Sequence, residues 1–436
     1  MTVNIIDGAE MSQQAHSFHE FMPADVWRWK MIEHQVDQVL ALHDYEEIRL
    51  SVLQDYSVLY QGLTALMHQQ QAEEAVRKTL NLCVPNDDIS LISLRPEGTI
   101  SVLHHTARVF QPGEIHRFYY HGPMFRLDKN QRPMEFYQLG VELLGSETIL
   151  SESEVISLGI KLCEALGLGD VKLRINSYGC KQCRHKFFEE VENYLSSHQD
   201  DFCAKCYQSL RHNPFEDTHC DDPRCHHLIK EGPKITDHLC ERCKVDFARI
   251  KKIQANLGHR YTVDPFLYKN FSYYNETVFD FVLGNGKQDL TIGGGGRYDD
   301  LSELITGKRI PAVGFYLNMD TIFAVLKQRG LFNPLAQAFS VYLCAQSPDM
   351  EMMLLQIAHE LHSLGVRTVL GIDHDPLERQ IRKARGKECA LLFAIREENI
   401  RDGKILLHNL VKDHQEYIPL AQMVDAVLIA RKALNQ

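Results

Sequence analysis

Two strand-like segments joined by a short polar loop constrain the fold more than any other feature of this sequence. Residues 115–125 and 135–144 are rich in aromatic and aliphatic side chains, and the loop LDKNQRP between them predicts a long antiparallel hairpin. Alternation along a strand places Phe136, Gln138 and Glu142 on one face. An aromatic ring, an amide and a carboxylate make a poor core, so this face predicts a ligand surface, with a solvated sheet face as the alternative.

The remaining pattern divides the chain into a mixed α+β part and a terminal α/β part. Apolar residues recur at helical spacing over residues 24–43 and 149–166, and residues 171–177 predict a strand. From Phe339 onward strand and helix patterns alternate, which predicts a small parallel-sheet α/β domain. The polar segment 330–337 predicts the boundary between the two parts.

Bulk composition indicates a globular protein and excludes few functions. The chain has 436 residues, 44% hydrophobic and 24% charged, so it is long enough for two or three domains and is not compositionally disordered. We find neither a signal-peptide pattern nor an apolar run of about 18 residues, so we expect a cytoplasmic protein without a membrane partner. The net charge of −11 does not indicate nucleic acid, but phosphate binding needs only a local basic cluster.

The cysteines are strongly clustered, which indicates metal before disulfide in a reducing compartment. Each Cys-x-x-Cys pair can present two thiolates to one zinc ion, so two four-cysteine sites, or one site with spare thiols, fit the count. His185, His226 and His227 are further candidate ligands, and redox-active or simply packed thiols are the alternatives to structural zinc. The candidate metal ligands are Cys180, Cys183, Cys203, Cys206, Cys220, Cys225, Cys240 and Cys243.

Four motifs in register carry a resemblance to a known family. They read LRPEGT, GPMFR with EFYQLGVE, SYYNETVF and GGRYD, in that order along the chain. Together they resemble the histidyl-tRNA synthetase family of class II aminoacyl-tRNA synthetases, and the terminal α/β part is similar to that family's anticodon-binding domain. The resemblance implies an α+β fold, with a class II synthetase antiparallel sheet flanked by helices, that works as a homodimer.

The resemblance also implies how the chain divides into domains. The class II synthetase-like catalytic domain would occupy residues 1–177 and 263–330, interrupted by a cysteine-rich insertion domain at 178–262. The C-terminal α/β domain of the anticodon-binding type would occupy residues 337–436.

The resemblance implies a histidine pocket that includes one face of the hairpin. Glu97, Thr99 and Gln138 would receive the α-ammonium group, while Glu142 and Tyr274 would face the imidazole ring. Imidazole both donates and accepts a hydrogen bond, so a carboxylate and a phenol can read both ring nitrogens. The implied histidine-binding residues are Glu97, Thr99, Gln138, Glu142, Tyr273 and Tyr274.

The resemblance places an ATP site beside this pocket. Arg126 would hold the α-phosphate, Asp128 would lie near the adenine amine where the family usually has glutamate, and Phe136 would stack on adenine. Activation of a carboxylate by ATP is an in-line attack at phosphorus, so catalysis rests on positioning and on charge stabilisation by arginine and Mg²⁺. Arg126 and Lys269 are the implied catalytic residues.

Several phosphate-facing cations of the family are replaced in this chain. Thr321 stands where the family's last motif has an arginine, and His104 stands at another arginine position. Lys269 replaces a third arginine and keeps its charge without the planar fork. The cations expected to substitute in part are Lys269, Lys129, Arg126 and Arg297. The pattern predicts a divergent paralogue that binds histidine and ATP, with tRNA charging weakened or lost.

Three alternatives stay open at this point. The chain can be a divergent but active histidine–tRNA ligase, a histidine-sensing regulatory subunit of the ATP phosphoribosyltransferase type acting on a partner enzyme, or an enzyme that passes activated histidine to an acceptor other than tRNA. A tRNA partner is suggested by basic residues of the terminal part, although a solvated helix face explains them equally well. These residues are Arg379, Arg382, Lys383, Arg385 and Lys387.

Overall fold

The structure is a computed structural model that describes residues 20–64, 76–83, 91–128, 132–215, 220–269, 273–284, 289–332 and 339–434. Lys129, an expected substitute cation, lies outside these residues. The chain forms two compact units, Met1–Phe332 and Asn333–Gln436. The finer division of the first unit into two catalytic segments and an insertion stays a prediction.

The first unit alternates helices and strands along its described length. Its helices are α1 (Pro23–Leu42), α2 (Tyr56–Thr64), α3 (Thr99–Thr106), α4 (Ile149–Ala165), α5 (Lys181–Ser197), α6 (Ala204–His212), α7 (Pro223–Glu231), α8 (Glu241–Asn256), α9 (Leu301–Thr306) and α10 (Met319–Gln328). Its strands are β1 (Glu46–Glu47), β2 (Leu53–Asp55), β3 (Asn81–Cys83), β4 (Leu91–Leu94), β5 (His116–Leu127), β6 (Pro133–Leu144), β7 (Lys172–Ser177), β8 (Tyr261–Val263), β9 (Asn275–Gly284), β10 (Asp289–Arg297) and β11 (Ala312–Asn318).

The first unit is organised around a sheet whose described strands follow the order β1-β5-β6-β11-β10-β9-β7-β8. Neighbours from β5 to β7 are antiparallel, whereas the edge strands β1 and β8 pair in parallel with β5 and β7. Buried apolar side chains of α1, α4 and α10 form one core with this sheet. The predicted α+β class, an antiparallel sheet flanked by helices, is confirmed.

The predicted hairpin is formed by β5 and β6, the two longest strands among the described residues. Gly122 lies opposite Gln138 and Met124 opposite Phe136 in the register of the pair. Along β6, Leu139 and Val141 are buried in the core beneath the sheet. Because neighbours on a strand face opposite sides, Gln138 and Phe136 are left for the other face of the sheet.

The cysteine-rich segment folds as the helices α5 to α8. Cys180, Cys203 and Cys240 are the N-cap residues of α5, α6 and α8, in extended backbone conformation. The second cysteine of each of these pairs therefore lies in the first turn of the helix. The tight Cys-x-x-Cys spacing is thus a helix-start geometry that brings two sulfurs to one end of a helix.

The second unit contains the helices and strands that the alternating pattern predicts, with one difference in strand direction. Its strands are β12 (Ser340–Ala345), β13 (Arg367–Gly371), β14 (Leu391–Ile395), β15 (Lys404–Asn409) and β16 (His414–Pro419), and its helices are α11 (Glu351–Ser363), α12 (Leu377–Gly386), α13 (Glu397–Arg401) and α14 (Met423–Leu434). The strand order is β13-β12-β14-β15-β16. The prediction of a parallel sheet holds for β13, β12 and β14, but it is wrong for β15 and β16, because β15 pairs antiparallel with both β14 and β16. A short turn at residues 410–413 connects β15 to β16, whereas the short helix α13 lies between β14 and β15.

Within the described part of the chain, no helix combines the length and the apolar character needed to cross a membrane.

Candidate functional site

A cavity of about 320 Å³ opens on the face of the sheet opposite the main core. It is lined by residues of the α3 start and of strands β5, β6, β9, β10 and β11, so four distant sequence motifs converge on it. The predicted site residues that line it are Glu97, Thr99, Arg126, Phe136, Gln138, Lys269, Tyr273 and Tyr274. The other two predicted site residues, Glu142 and Asp128, are not part of the lining.

One end of the cavity presents hydrogen-bond acceptors. The Glu97 carboxylate is buried and accepts the backbone N–H groups of Thr99 (2.7 Å) and Ile100 (2.9 Å) at the start of α3. Burial raises the pKa of Glu97, while these two N–H groups oppose the rise. The Gln138 side-chain carbonyl oxygen is buried and has no hydrogen-bond partner among the described residues. An unpaired buried acceptor is costly, so this oxygen marks where a ligand donor fits.

Glu142 lies beneath the lining, where hydroxyl groups surround it. Its Oε1 accepts hydrogen bonds from Thr99 (2.8 Å) and Tyr120 (3.3 Å), and its Oε2 accepts one from Tyr298. A Cβ atom on Gly314 would collide with Oε2, so glycine is required for this close approach. Burial raises the pKa of Glu142 to about 8 despite these hydroxyl donors.

The structure therefore adds two tyrosines that the sequence analysis did not single out as site residues. Tyr298 lines the cavity and connects it to Glu142, and Tyr120 supports the same carboxylate from β5. Tyr298 belongs to the GGRYD motif, which was informative only as a family signature. Thr99 and Tyr298 both line the cavity, and hydrogen bonds to Glu142 fix the orientation of their hydroxyl groups.

Glu142→Gln is expected to flatten the pH dependence of stability. The folded-state pKa of about 8 exceeds the ordinary value of 4.5, so the folded chain keeps a proton that the unfolded chain has released. The stability from this group is fully present below the lower value and is lost as the pH rises toward the upper one, at up to about 1.4 kcal/mol per pH unit. Urea unfolding across this window measures the slope.

The matched control for this test is Glu241→Gln, at an 88% exposed position of α8. The control should keep the slope of the parent, since it does not touch the buried carboxyl. Equal slopes for Glu142→Gln and the parent would show that Glu142 is ionised in the folded chain throughout the window.

Lys269 is a buried cation held by the sheet. Its ammonium group is paired with Asp280 and donates to the Phe279 carbonyl oxygen at 2.6 Å. Burial lowers the pKa of Lys269, and the Asp280 charge opposes that effect. A Cβ on Gly294 would collide with both charged groups, so the pair depends on a glycine. The positive charge at this end of the cavity is thus largely neutralised by a strand neighbour.

Arg126 and Phe136 lie side by side across the hairpin. The Arg126 Nε donates to the Pro96 carbonyl oxygen at 2.8 Å, and its guanidinium carbon lies 5.0 Å from the Phe136 ring centroid. This arrangement combines a cation, which suits phosphate, with an aromatic surface on which a base can stack. Arg126 and Lys269 are the cations among the described residues that line the cavity.

The start of α10 contains Thr321, at a position where the family resemblance implies an arginine. Here the chain forms a neutral helix cap. Asn318 lines the cavity and accepts the Thr321 backbone N–H at 3.0 Å, which caps the helix. The Asp320 carboxylate accepts the Tyr137 backbone N–H at 2.7 Å and so ties the helix to β6. Thr321 itself is not part of the lining, and this segment supplies no cation to the cavity.

The expectation that Arg297 substitutes for a lost cation is wrong. Its guanidinium group is 1% exposed and is paired with Asp299 at 2.9 Å and Glu152 at 3.4 Å. It also donates to the Ser146 and Thr148 carbonyl oxygens. These partners fix β10 against the start of α4, so the arginine serves the fold.

Two other positions considered for the ATP site, His104 and Asp128, are not part of the cavity lining. His104 on α3 shares a hydrogen bond with Arg108 at 2.8 Å. The Asp128 carboxylate accepts the Arg132 backbone N–H at 2.8 Å, at the end of the hairpin. The adenine-side role of Asp128 stays a prediction.

The eight clustered cysteines form two groups of four. We call the first the base centre, because its first cysteine lies three residues after the end of β7. It consists of Cys180, Cys183, Cys240 and Cys243. The second is the outer centre, which consists of Cys203, Cys206, Cys220 and Cys225. In each group the sulfur atoms all lie within 4.8 Å of one another.

The sulfur geometry fits tetrahedral zinc rather than disulfides. The Sγ atoms of Cys180 and Cys183 are 3.6 Å apart, and those of Cys203 and Cys220 are 3.8 Å apart. These distances agree with a tetrahedral zinc site, in which zinc–sulfur bonds of about 2.3 Å place the sulfur atoms about 3.8 Å from one another. All eight are free thiols. Backbone N–H groups point at the sulfurs, as from Cys240 to Cys183 at 3.1 Å, which favours thiolates.

The histidines considered as further ligands do not join either group. His185 is exposed and pairs with Glu189, and His226 interacts with the Cys220 carbonyl oxygen. His227 is exposed on α7. Both groups are thus all-cysteine among the described residues, and the geometry favours two sites over one site with spare thiols.

The basic residues of α12 are largely paired with aspartates of the same unit. Lys383 pairs with Asp373 and, at 2.7 Å, with Asp375. Arg379 also pairs with Asp375, at 2.9 Å. Arg385 pairs with Asp413. This mixture of charges weakens the argument that α12 is a basic surface for RNA.

The antiparallel sheet with its cavity at the hairpin defines the catalytic fold of class II aminoacyl-tRNA synthetases. A family model described as histidyl-tRNA synthetase matches residues 17–182 and 224–322. The chain belongs to the histidyl-tRNA synthetase family.

Similar proteins agree with this assignment over nearly the whole chain. It is 31% identical to a histidine–tRNA ligase of Halothermothrix orenii, covering 93% of this chain and 96% of that protein. It is 29% identical to one of Moorella thermoacetica, covering 95% and 97%.

Two solved structures share the fold. An apo histidyl-tRNA synthetase of S. aureus has a TM-score of 0.76 at 24% identity, covering 94% of this chain and 97% of that one. An ATP phosphoribosyltransferase regulatory subunit/histidyl-tRNA synthetase from Bacillus halodurans has a TM-score of 0.59 at 19% identity, covering 85% and 95%.

Proposed function

We propose that the chain binds histidine and ATP in the cavity at the hairpin, and that its tRNA charging is weakened or lost. The observation that carries this proposal is the contrast between the two ends of the cavity. The acceptor end keeps Glu97, Thr99 and Gln138, whereas at the other end Lys269 is held by Asp280. The chain therefore retains groups that can bind the amino acid, but it offers less positive charge to the ATP phosphates than the family resemblance implies.

Histidine is the amino acid that this pocket chemistry suits. The unpaired Gln138 oxygen and the Glu97 carboxylate offer acceptors for an α-ammonium group. Tyr274 and Tyr298 line the cavity with phenol groups, and Glu142 lies behind Tyr298. Hydroxyls in contact with a carboxyl can either donate or accept, which suits the two nitrogens of an imidazole.

ATP would lie against the Arg126 and Phe136 pair, with Asp128 near the adenine amine. Bound Mg²⁺ would neutralise charge on the phosphate oxygens. Arg126 would hold the α-phosphate, and Lys269 would act as the second catalytic cation only to the extent that Asp280 releases it. Loss of one preorganised charge donor costs about 10²- to 10³-fold in rate, so we expect slow histidine activation.

Arg126→Ala is expected to lower the rate of histidine-dependent exchange of pyrophosphate into ATP by about 10²-fold or more, because it removes a phosphate-facing cation.

Glu142→Ala should instead abolish histidine binding measured by calorimetry. Exchange in the parent at a rate typical of a charging enzyme would contradict weakened activity. An absence of histidine binding in the parent would contradict the proposal as a whole.

A divergent but active histidine–tRNA ligase is the second candidate. The full-length similarity to proteins named as histidine–tRNA ligases favours it, as does the presence of the second unit. Charging of tRNA with labelled histidine separates the candidates. Activation without charging would point to another acceptor, and histidine binding without activation to a regulatory role with a partner enzyme.

We also propose that the base centre and the outer centre each bind one structural zinc ion. Four thiolates close the coordination sphere and leave no position for catalysis, so zinc would serve folding. We further propose that the protein is a cytoplasmic homodimer, as the family resemblance implies.

A further inference from the structure

We infer that the base centre holds the wall of the histidine pocket in place, and that Arg184 and Arg242 connect the centre to that wall. This inference rests on the proposed histidine and zinc binding. Both arginines lie in the first turn of a helix that begins at a cysteine of the base centre, and both contact the segment that carries Tyr274.

Arg184 connects α5 to the pocket wall. It follows Cys180 by four residues, one helical turn, and its own backbone N–H donates to the Cys180 carbonyl oxygen at 3.1 Å. Its guanidinium group donates to the Tyr274 carbonyl oxygen at 3.4 Å. The Tyr274 side chain lines the cavity. A metal ion that fixes Cys180 and Cys183 would therefore fix the donor that holds Tyr274.

Arg242 connects α8 to the same segment. It lies between Cys240 and Cys243 and pairs with the Glu276 carboxylate at 2.6 Å. Glu276 has a left-handed backbone, with φ of 48°, which is uncommon for a residue other than glycine and needs surrounding support.

That support comes from the chain immediately before the base centre. The Glu276 carbonyl oxygen accepts the Tyr178 N–H at 2.6 Å, and its own N–H donates to the Gly179 carbonyl oxygen at 3.3 Å. Gly179 has a φ of 62°, and a Cβ there would lie 2.6 Å from the Cys183 Cβ. The segment just after Tyr274 is thus held by the two residues that precede the base centre's first cysteine.

The segment that carries Lys269 is reached from the same place. The Tyr178 hydroxyl accepts the Lys269 backbone N–H at 2.9 Å and donates to the Leu267 carbonyl oxygen at 3.4 Å. Tyr178 precedes Cys180 by two residues. The base centre is therefore linked by hydrogen bonds to the segments that carry both Tyr274 and Lys269.

The outer centre has a different relation to the pocket. The segment between its cysteines makes an apolar connection through Phe215, whose ring stacks on Tyr178 at 4.3 Å and lies 5.9 Å from that of Tyr268. Arg211 on α6 pairs with Glu192 of α5, inside the cysteine-rich segment. Arg211 is accordingly a matched control for Arg184.

The test uses the full chain loaded with zinc and compares Arg184→Met, Arg184→Lys, Arg242→Met and the control Arg211→Met. Arg184→Met and Arg242→Met should keep the parent's zinc content and ATP affinity, and should each weaken histidine binding by about 3- to 10-fold, the effect of one lost hydrogen bond or ion pair. Arg184→Lys should recover part of the loss. Amide hydrogen exchange over residues 273–278 should rise in both methionine variants and in the parent stripped of zinc.

The exchange measurement separates this inference from the proposals on which it rests. A parent that binds zinc but not histidine would overturn the proposed function, and exchange over residues 273–278 would still decide the linkage. Unchanged exchange in Arg184→Met and Arg242→Met would overturn the inference, and so would a parent without bound zinc. A similar loss of histidine affinity in Arg211→Met would also overturn it, since that arginine does not reach the pocket segment.

Discussion

Thr321→Arg is expected to raise histidine-dependent pyrophosphate exchange by about 10²-fold, the effect of one added charge donor in a preorganised site. Position 321 is one helical turn beyond Asn318, which lines the cavity, so the two side chains share a face of α10. An arginine side chain can span the distance that threonine cannot, and the family resemblance implies an arginine there. Exchange of labelled pyrophosphate into ATP measures the gain.

Thr321→Met is the matched control, because it adds length to the side chain without charge. The cap of α10 uses the backbone N–H of residue 321, so neither substitution removes its hydrogen bond to Asn318. Equal exchange in Thr321→Arg and the parent, at a rate typical of charging enzymes, would favour the active ligase. A gain in both variants would show that charge is not the cause.

The hairpin was predictable because its determinants are local. Alternation along β6 alone places Leu139 and Val141 in the core and Gln138 toward the cavity, and the turn-rich loop sets the antiparallel pairing. The same holds for the helices of the second unit, whose periodicity lies within single segments. The antiparallel pairing of β15 and β16 was missed because alternation of helix and strand was extended beyond its last clear repeat.

The surroundings of Glu142 could not be read from the sequence. Its partner Tyr298 is 156 residues away, and the pairing of β10 with β11 and of β11 with β6 brings the two together. The position of Glu142 beneath the lining follows from that pairing and from Gly314, which leaves space for the carboxylate. Sequence motifs identified the residue, but its burial and its pKa of about 8 belong to the fold.

The partners of the cations could not be read from the sequence either. Lys269 and Arg297 were both counted as charges available to phosphate, because a sequence shows charge but not partners. The structure pairs Lys269 with Asp280 and buries Arg297 among Asp299 and Glu152. A cation that is already paired within the fold costs more to recruit to a ligand, so counting charges overestimates the positive potential of a site.

The pairing of the cysteines was also beyond the sequence. Spacing indicated which cysteines form close pairs, but either one or two sites fitted. The return of the chain through α8 brings Cys240 and Cys243 back to Cys180 and Cys183, while α6 and α7 close the outer centre. The first pair along the chain joins the last because the start of α8 lies beside the start of α5, where the Cys240 N–H donates to the Cys183 sulfur at 3.1 Å.

Removal of zinc is expected to destabilise the protein by more than any single substitution in the cavity. Structural zinc in small all-thiolate sites contributes about 10 kcal/mol or more to folding of the segment that it holds, and α5 to α8 pack around these two centres. We expect two zinc ions per chain by elemental analysis, one for each group of four cysteines. A chelator should lower the unfolding temperature and reduce helical circular dichroism, and added zinc should reverse both changes.

Cys180→Ser with Cys183→Ser should lower the zinc content by one ion per chain, and Cys203→Ser with Cys206→Ser should do the same for the outer centre. Cys163→Ala is the control, because Cys163 is a buried cysteine of α4 outside both centres and should leave the zinc content unchanged. The sulfur separations of 3.6 and 3.8 Å, one from each centre, are compatible with the edges of a zinc tetrahedron. We expect zinc in both centres because the four sulfurs of each lie within 4.8 Å of one another. The prediction would be contradicted if the purified parent protein contained no zinc, or if a chelator did not alter its unfolding. Either result would mean that these cysteines are packed thiols and that no metal takes part in the folding of this chain.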